Sequence, residues 1–263
     1  MTSNTIRFVW ENKIHSISDL DPNETILNYV RLKLKKTGTK EGCAEGGCGA
    51  CAVVLGELKN NKIIYKAINS CISFLPSLEG KQLILVEDLV SKKGTLHTVQ
   101  EAMINYHGSQ CGFCTPGFVM SLFAMYKNFS FYKKENIQDS ISGNLCRCTG
   151  YRPILDAGKS LNNINRSDQF DKNKKKIINL LKKINSENVS LKNGNKKYFS
   201  PKSISELIKN IKENPNSIFL SGGTDLSLNV TKERKNINNI ISLNSVKELK
   251  FIKKNNNNIE VGA

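Results

Sequence analysis

Eight cysteines, arranged in two sets of four, are the residues of this chain best suited to chemistry. The first set has the spacing Cys43-x4-Cys48-x2-Cys51 and, after nineteen intervening residues, Cys71. This C-x4-C-x2-C…C pattern is typical of a plant-type [2Fe–2S] site, in which one loop supplies three thiolates and another segment supplies the fourth. A zinc knuckle is the alternative. It would use two pairs of closely spaced cysteines, and no second cysteine lies close to Cys71 in the sequence.

The second set consists of two close pairs, Cys111-x2-Cys114 and Cys146-x-Cys148. A proline follows each pair at the position expected for the first turn of a helix. An anionic cluster is stabilised near the positive end of a helix dipole, so two helix starts could meet at one cluster. Spacing alone leaves zinc open as an alternative for this set. The run typical of bacterial [4Fe–4S] sites does not occur.

The net charge of +16 raises the question of nucleic-acid binding. Residues 1–160 carry 19 Lys and Arg against 14 Asp and Glu, whereas residues 161–263 carry 20 against 9. These C-terminal lysines lack the interleaved aromatic residues that bind bases, so we expect solvated surface and no nucleic-acid partner. His15, His97 and His107 form no ligand pair at helical spacing and are expected to be surface or hydrogen-bonded core residues.

Neither a long apolar run nor a secretory signal pattern is found, so we expect no membrane association and a cytoplasmic location. In that reducing compartment, clustered cysteines indicate metal binding rather than disulfides.

The cysteines must be positioned by two different kinds of structure. Alternating apolar residues predict a hairpin at 6–17, a helix capped by Asp21-Pro-Asn-Glu24, and a small sheet completed by three later segments, 52–55, 63–68 and 83–86. Four segments with helical periodicity then predict a bundle: 99–106, 117–126, 136–141 and 154–163.

The remaining sequence predicts a linker and a third, α+β part. Residues 165–197 are rich in Asn, Lys and Ser, which favours a linker rather than packed structure. Beyond them, Ser203 could cap a helix, and Ile218–Leu220 forms a strand that leads into a Gly-Gly turn. The expected division is therefore 1–91, 92–164, a linker at 165–197, and 198–263.

Three motifs resemble those of a known family. Glu41-Gly-Cys-Ala-Glu-Gly-Gly-Cys-Gly-Ala-Cys51, Gly108-Ser-Gln-Cys-Gly-Phe-Cys-Thr-Pro-Gly-Phe118 and Gly143-Asn-Leu-Cys-Arg-Cys-Thr-Gly-Tyr-Arg-Pro153 are similar to the iron–sulfur domains of molybdenum hydroxylases. Within that family, Phe219-Leu-Ser-Gly-Gly-Thr-Asp-Leu-Ser-Leu228 resembles the small subunit of bacterial xanthine dehydrogenases. The resemblance implies an α+β fold with three domains: a β-grasp, plant-type ferredoxin domain, a four-helix [2Fe–2S] bundle domain, and part of an FAD-binding domain of the PCMH type.

The resemblance also implies a function. All eight cysteines would hold two [2Fe–2S] clusters, and a separate large subunit would bind molybdopterin and hydroxylate a purine. Electrons would pass from that subunit to the cluster of Cys111, Cys114, Cys146 and Cys148, then to the cluster of Cys43, Cys48, Cys51 and Cys71, then to FAD and NAD⁺. No side chain of this chain is expected to be catalytic, because cofactors perform the redox steps.

Further binding residues follow from the same resemblance. Gln110 is either the family's contact to molybdopterin or an ordinary polar residue at a helix start. The flavin pyrophosphate would bind the backbone of the loop formed by Leu220, Ser221, Gly222, Gly223, Thr224, Asp225 and Leu226.

The sequence departs from the family pattern at its end, because it stops at Ala263 where such relatives continue through a second flavin loop. We therefore expect an incomplete FAD site that binds flavin weakly or not at all, unless a second polypeptide completes it. Three alternatives stay open: an aldehyde- or nicotinate-type molybdenum hydroxylase, a flavin-free iron–sulfur carrier, and a zinc-stabilised interaction protein.

Overall fold

A computed structural model describes residues 2–163, 167–184, 187–256 and 258–263. The strands are Thr2–Ser3 (β1), Ile6–Trp10 (β2), Lys13–Ile17 (β3), Ala52–Lys59 (β4), Lys62–Asn69 (β5), Gln82–Ile84 (β6), Asn188–Asn193 (β7), Lys196–Ser200 (β8), Ile218–Leu220 (β9), Asn239–Ser242 (β10), Ile252–Lys254 (β11) and Ile259–Val261 (β12). The α-helices are Ile26–Asn28 (α1), Thr98–Asn105 (α2), Thr115–Asn128 (α3), Lys134–Ile141 (α4), Arg152–Ser160 (α5), Gln169–Ile184 (α6), Ile204–Glu213 (α7) and Leu226–Thr231 (α8). Within the described residues, no helix combines the length and apolar character needed to cross a membrane.

The first sheet is buried on both faces. Its strands lie in the order β3-β2-β6-β4-β5, and the hairpin and the three later strands predicted from the sequence are confirmed. Successive side chains of a strand point to opposite faces. Accordingly, Val53 and Leu55 belong to one hydrophobic core, whereas Ala52 and Val54 belong to the core shared with the helical bundle. The sheet therefore separates two cores and fixes the bundle against β4 and β5.

The helical segment after the hairpin begins later than predicted. Thr25 is the N-cap, with its hydroxyl accepting a hydrogen bond from the N–H of Asn28, and α1 continues as a π-helical turn over Tyr29–Lys33. Asp21 instead stabilises a turn by accepting the N–H of Asn23. The Asp-Pro-Asn-Glu pattern correctly predicts a helix in this segment. The predicted capping residue is wrong, because the side chain of Asp21 forms its hydrogen bond within a local turn and does not cap the helix.

The four-helix bundle is confirmed and is organised around one buried helix. In α3 the ten residues from Gly117 to Tyr126 are all buried, because α2, α4, β4 and β5 surround the helix. A helix that is apolar on all sides is expected at the centre of a packed domain.

The predicted linker contains packed structure, so that expectation is wrong over most of its length. The helix α6 buries Ile177, Leu181 and Ile184 against the first sheet and the bundle. The strands β7 and β8 then pair directly. Lysine and asparagine occupy the outer face of α6 and dominate the composition of the segment. Composition alone therefore does not reveal the apolar stripe on the inner face. Positions 165–166 and 185–186 of the predicted linker, and positions 1, 164 and 257 of the neighbouring predicted domains, lie outside the described residues, and the domain boundaries stay a prediction.

A buried polar cluster fastens the start of α6 to the bundle. Asp168 accepts hydrogen bonds from Lys127 at 3.0 and 3.1 Å and lies 3.1 Å from Nε2 of His97. The other ring nitrogen of His97 accepts the N–H of Val99, so Nε2 carries the proton and donates to Asp168. Burial alone would raise the pKa of Asp168, but His97 and Lys127 outweigh it and hold the pKa well below its usual range.

The third part is a second sheet that also takes in the start of the chain. Its strands lie in the order β1-β7-β8-β10-β9, and Thr2 and Ser3 pair with Asn188 and Val189 in parallel. The predicted cap of α7 is confirmed, because the hydroxyl of Ser203 accepts the N–H of Glu206.

Asn23 joins the first and third parts through a reciprocal pair of hydrogen bonds. Its amide donates to the carbonyl of Ile237 at 3.0 Å and accepts the N–H of the same residue at 2.9 Å. Both residues are buried. We expect Asn23→Ala to weaken this contact by about 2 kcal/mol, because two buried backbone groups lose their partners.

Amide hydrogen exchange over residues 237–242 would measure this effect. Asn193→Ala is the matched control, since its amide donates to Asp19 across the same contact but in an exposed position. Equal exchange rates in the two variants would contradict the prediction.

Candidate metal centres

The first four cysteines lie together at one end of the first sheet. Cys43, Cys48 and Cys51 are in the irregular loop before β4, and Cys71 is in a single 3₁₀ turn, Ser70–Ile72, after β5. Their thiols form two hydrogen-bonded pairs, Cys43 with Cys48 and Cys51 with Cys71. The second pair is buried and the first is half-buried.

Backbone N–H groups point at these sulfurs. The N–H groups of Glu45 and Gly47 lie 3.5 and 3.3 Å from Sγ of Cys43. Burial raises the pKa of Cys43. The hydrogen bonds from Glu45, Cys48 and Gly47 have a larger combined effect, so the pKa lies below its usual value. The loop therefore favours a negative charge on sulfur, as a thiolate ligand requires.

The inner pair of this set consists of two thiols whose pKa values are shifted in opposite directions. The hydrogen bond from Cys71 lowers the pKa of Cys51 to about 7 and raises that of Cys71. Asn69 anchors the loop beside the pair, because its amide donates to the carbonyl of Gly46 at 2.7 Å.

The second four cysteines meet where two helices of the bundle begin. Cys114 is the residue before α3, while Cys146 and Cys148 precede α5. Again the thiols form two hydrogen-bonded pairs, Cys111 with Cys148 and Cys114 with Cys146. The first pair is exposed, whereas the second is half-buried against the core of the bundle.

Two residues of the same motif support Cys146. The hydroxyl of Thr149 donates to its sulfur at 3.2 Å, and the N–H of Cys146 donates to the hydroxyl of Tyr151 at 3.0 Å. Burial raises the pKa of Cys146, but the bonds from Thr149 reverse the shift and lower it. Burial and the neighbouring Cys146 raise the pKa of Cys114 to about 12.

The paired arrangement matches the ligand requirement of a two-iron cluster. In the described part of the chain, no group of three or more His, Cys, Asp or Glu has the geometry to hold one metal ion. In a [2Fe–2S] cluster each iron takes two protein ligands, which corresponds to two pairs of thiols at each site. Four cysteines at each set therefore meet the ligand requirement of one [2Fe–2S] cluster.

The two sites touch through the backbone. The N–H of Leu145 donates to the carbonyl of Cys48 at 2.9 Å, and Leu145 directly precedes Cys146. Cys48 of the first set is thus hydrogen-bonded to the residue that directly precedes Cys146 of the second set.

The predicted flavin loop is placed beside the first site. It follows β9, with Gly222 and Gly223 at φ +73° and +89°, and Ser221, Gly222, Thr224 and Asp225 are exposed. Gly223 donates its N–H to the carbonyl of Ser221. The loop is thus exposed at four positions, whereas the N–H of Gly223 is hydrogen-bonded within the loop.

The segment after this loop contacts the first cysteine site. The hydroxyl of Ser227 donates to the carbonyl of Ile72, next to Cys71, at 2.7 Å. Lys232 forms an ion pair with Glu45 at 2.9 Å. Gln110 is exposed and directly precedes the exposed Cys111.

Several supporting residues were not singled out from the sequence. Thr149 and Tyr151 lie inside a motif used for the family resemblance, so their position next to a cysteine was the available signal. Asn144 lies in the same motif, but its role and that of Asn69 depend on contacts with loops distant in sequence.

Comparisons with known families agree with the two sites. Residues 12–75 match the 2Fe-2S iron-sulfur cluster binding domain, and residues 85–159 match the [2Fe-2S] binding domain. Residues 190–263 match the FAD binding domain in molybdopterin dehydrogenase. Each set of four cysteines falls within one of the two iron–sulfur matches.

Similar proteins are much longer than this chain. Xanthine dehydrogenase of Blastobotrys adeninivorans is 48% identical over 161 residues, 60% of this chain and 11% of the relative. Xanthine dehydrogenase/oxidase of Felis catus is 46% identical over 59% of this chain and 12% of the relative. The aldehyde oxidoreductase structure from Desulfovibrio desulfuricans is 30% identical, with a TM-score of 0.54 over 66% of this chain and 18% of that one. The chain thus spans about a tenth of the curated relatives it matches.

Proposed function

Because this chain carries the two iron–sulfur domains and the FAD-binding domain of xanthine dehydrogenase-type molybdenum hydroxylases, we propose that it conducts electrons from a molybdopterin-binding partner towards a flavin. When bound, the [2Fe–2S] clusters take up and release single electrons. The residues of the chain hold the clusters, set their spacing and control their exposure to solvent. No acid or base of this chain takes part.

The order of contacts supports this direction. The exposed pair Cys111 and Cys148 offers an entry point on the surface. The first site follows through the contact between Leu145 and Cys48. The flavin segment contacts the first site at a different residue, because Ser227 donates to the carbonyl of Ile72, next to Cys71. The observation that carries the proposal is this placement of the first site between the second site and the flavin segment.

Partner and substrate belong to the same proposal. We propose a molybdopterin-binding partner or domain at the face formed by Gln110, Cys111 and Cys148, since exposed ligands permit close approach of a second redox centre. A purine is the proposed substrate and NAD⁺ the final acceptor, because the curated relatives are named xanthine dehydrogenases. The likeness to an aldehyde oxidoreductase in the cluster domains makes an aldehyde the second candidate.

Anaerobic purification followed by iron and sulfide analysis tests the proposal. We expect about four irons and four sulfides per chain, and two distinct rhombic EPR signals after dithionite reduction. Zinc in place of iron, or a single EPR signal from fully loaded protein, would contradict it.

A further inference from the structure

The two cysteine domains meet at a contact that leaves no room for a side chain. A Cβ atom placed on Gly117, in the first turn of α3, would lie 2.2 Å from the carbonyl oxygen of Gly49. A Cβ atom on Gly49 would lie 2.4 Å from the carbonyl oxygen of Gly143. Both atoms that would be struck belong to the backbone, so no rotamer change could relieve the overlap. The backbones of the two domains are therefore in direct contact between the cysteine sites.

A buried asparagine fills the centre of this contact. Asn144 is 4% exposed. Its amide nitrogen donates to the carbonyl of Gly49 at 3.0 Å, and its amide oxygen accepts the hydroxyl of Ser121 at 2.7 Å. The side chain thus joins the loop of the first site to the central helix of the bundle. A buried side chain with both ends hydrogen-bonded has a single orientation, which makes the contact rigid.

This contact lies between the ligands themselves. Gly49 directly follows Cys48, Gly117 is three residues after Cys114, and Asn144 is two residues before Cys146. A neighbouring bond joins the N–H of Leu145 to the carbonyl of Cys48. Any displacement at Asn144 would therefore change the distance between the two sites.

We propose that Asn144 is a positioning residue which, with Gly49 and Gly117, fixes the separation of the two clusters and hence the electronic coupling between them. The proposal rests on the proposed function, because it requires both sites to be loaded. Asn144 touches neither cluster's ligand atoms in the described contacts; it acts through the backbone of Gly49.

Two variants disturb the contact in different ways. Gly117→Ala inserts a methyl group against the Gly49 carbonyl, while its own backbone is helical and accepts alanine readily. Asn144→Asp keeps the acceptor for Ser121 but replaces the donor to Gly49 by a carboxylate oxygen, which repels the carbonyl.

Each variant has a matched control. A methyl group on Gly143, next to Asn144, would meet no atom within 4 Å, so Gly143→Ala controls for Gly117→Ala. Asn162 also uses its amide to bridge backbone groups, accepting from Tyr132 and donating to it, but within the bundle. Asn162→Asp therefore controls for the chemistry of Asn144→Asp.

The readout is the magnetic interaction between the two reduced clusters in the full chain. This interaction falls steeply with separation and splits or broadens both EPR signals at low temperature. We expect all four variants to keep about four irons and both signals. The splitting should be reduced or lost in Gly117→Ala and Asn144→Asp, and unchanged in the two controls.

Other outcomes would overturn the inference. Unchanged splitting in Gly117→Ala and Asn144→Asp would show that the contact does not set the separation. Loss of clusters from both variants would make it a requirement for assembly rather than for spacing. Two intact signals without splitting in the unmodified chain would overturn the inference, because the two clusters would then not interact, but would leave the proposed function intact. Absence of iron would contradict the proposed function itself.

Discussion

Replacing Cys71 by alanine should reduce the iron content from about four to about two atoms per chain and abolish one of the two EPR signals. Cys71 is 3% exposed and comes from the turn after β5, so no other thiol of the described chain can take its place. Without it, one iron of the first cluster would have a single protein ligand, Cys51. The second site should be unaffected, because its four thiols come from the bundle alone.

Cys146→Ala is the reciprocal experiment. It should remove the other signal and keep the one that Cys71→Ala abolishes, so the two variants together assign each spectrum to its site. Iron analysis, visible circular dichroism and EPR provide the measurements. Loss of the same signal from both variants would contradict the assignment of four cysteines to each cluster.

Asp168→Asn should release the start of α6 from the bundle. Removing one partner of a buried ion pair costs about 3 kcal/mol, because the other charge is left buried. Here the charge left behind belongs to Lys127, whose side chain is 5% exposed and would keep only Asp171, itself 40% exposed, as an ionic partner among the described residues. Exchange of the α6 amides should therefore accelerate by roughly 100-fold at pH 7, since each 1.4 kcal/mol corresponds to a factor of ten.

The effect should depend on pH in a defined direction. The folded-state pKa of Asp168 lies below its usual range, so its stabilisation is complete above the unfolded value of about 4 and is lost as the pH falls through the folded value. The ratio of exchange rates between Asp168→Asn and the unmodified chain should accordingly shrink below about pH 4. Asp156→Asn is the control, because its partners Arg152 and Lys159 are exposed and screened by water. A constant ratio across this pH range would contradict the ionic explanation.

The sequence predicted the parts of the fold that depend on local patterns. The hairpin, the four helices of the bundle and the Ser203 cap follow from apolar periodicity and capping residues, and the structure has them all. The grouping of the cysteines into two sets follows from ligand spacing, which is a local property of each loop, and their role as ligands stays a prediction.

What could not be predicted depends on contacts between distant segments. The helix α6 is stabilised by Asp168 bonding to His97 and Lys127 of the bundle, and composition alone favoured a linker there. Asn144 and Asn23 lie within motifs recognised for other reasons, and only the fold places backbone groups of a distant segment against their side chains. Polar side chains with such long-range partners leave no periodic trace.

The pairing of Thr2 and Ser3 with β7 has a consequence for synthesis of the protein. At about 5–20 residues per second, Asn188 leaves the ribosome roughly 10–40 seconds after the N-terminal strand. During that interval the cysteine loop at 43–51 already exists, while the flavin segment that later contacts Ile72 does not. The first site thus has an interval for iron–sulfur loading before the third part is synthesised and contacts it.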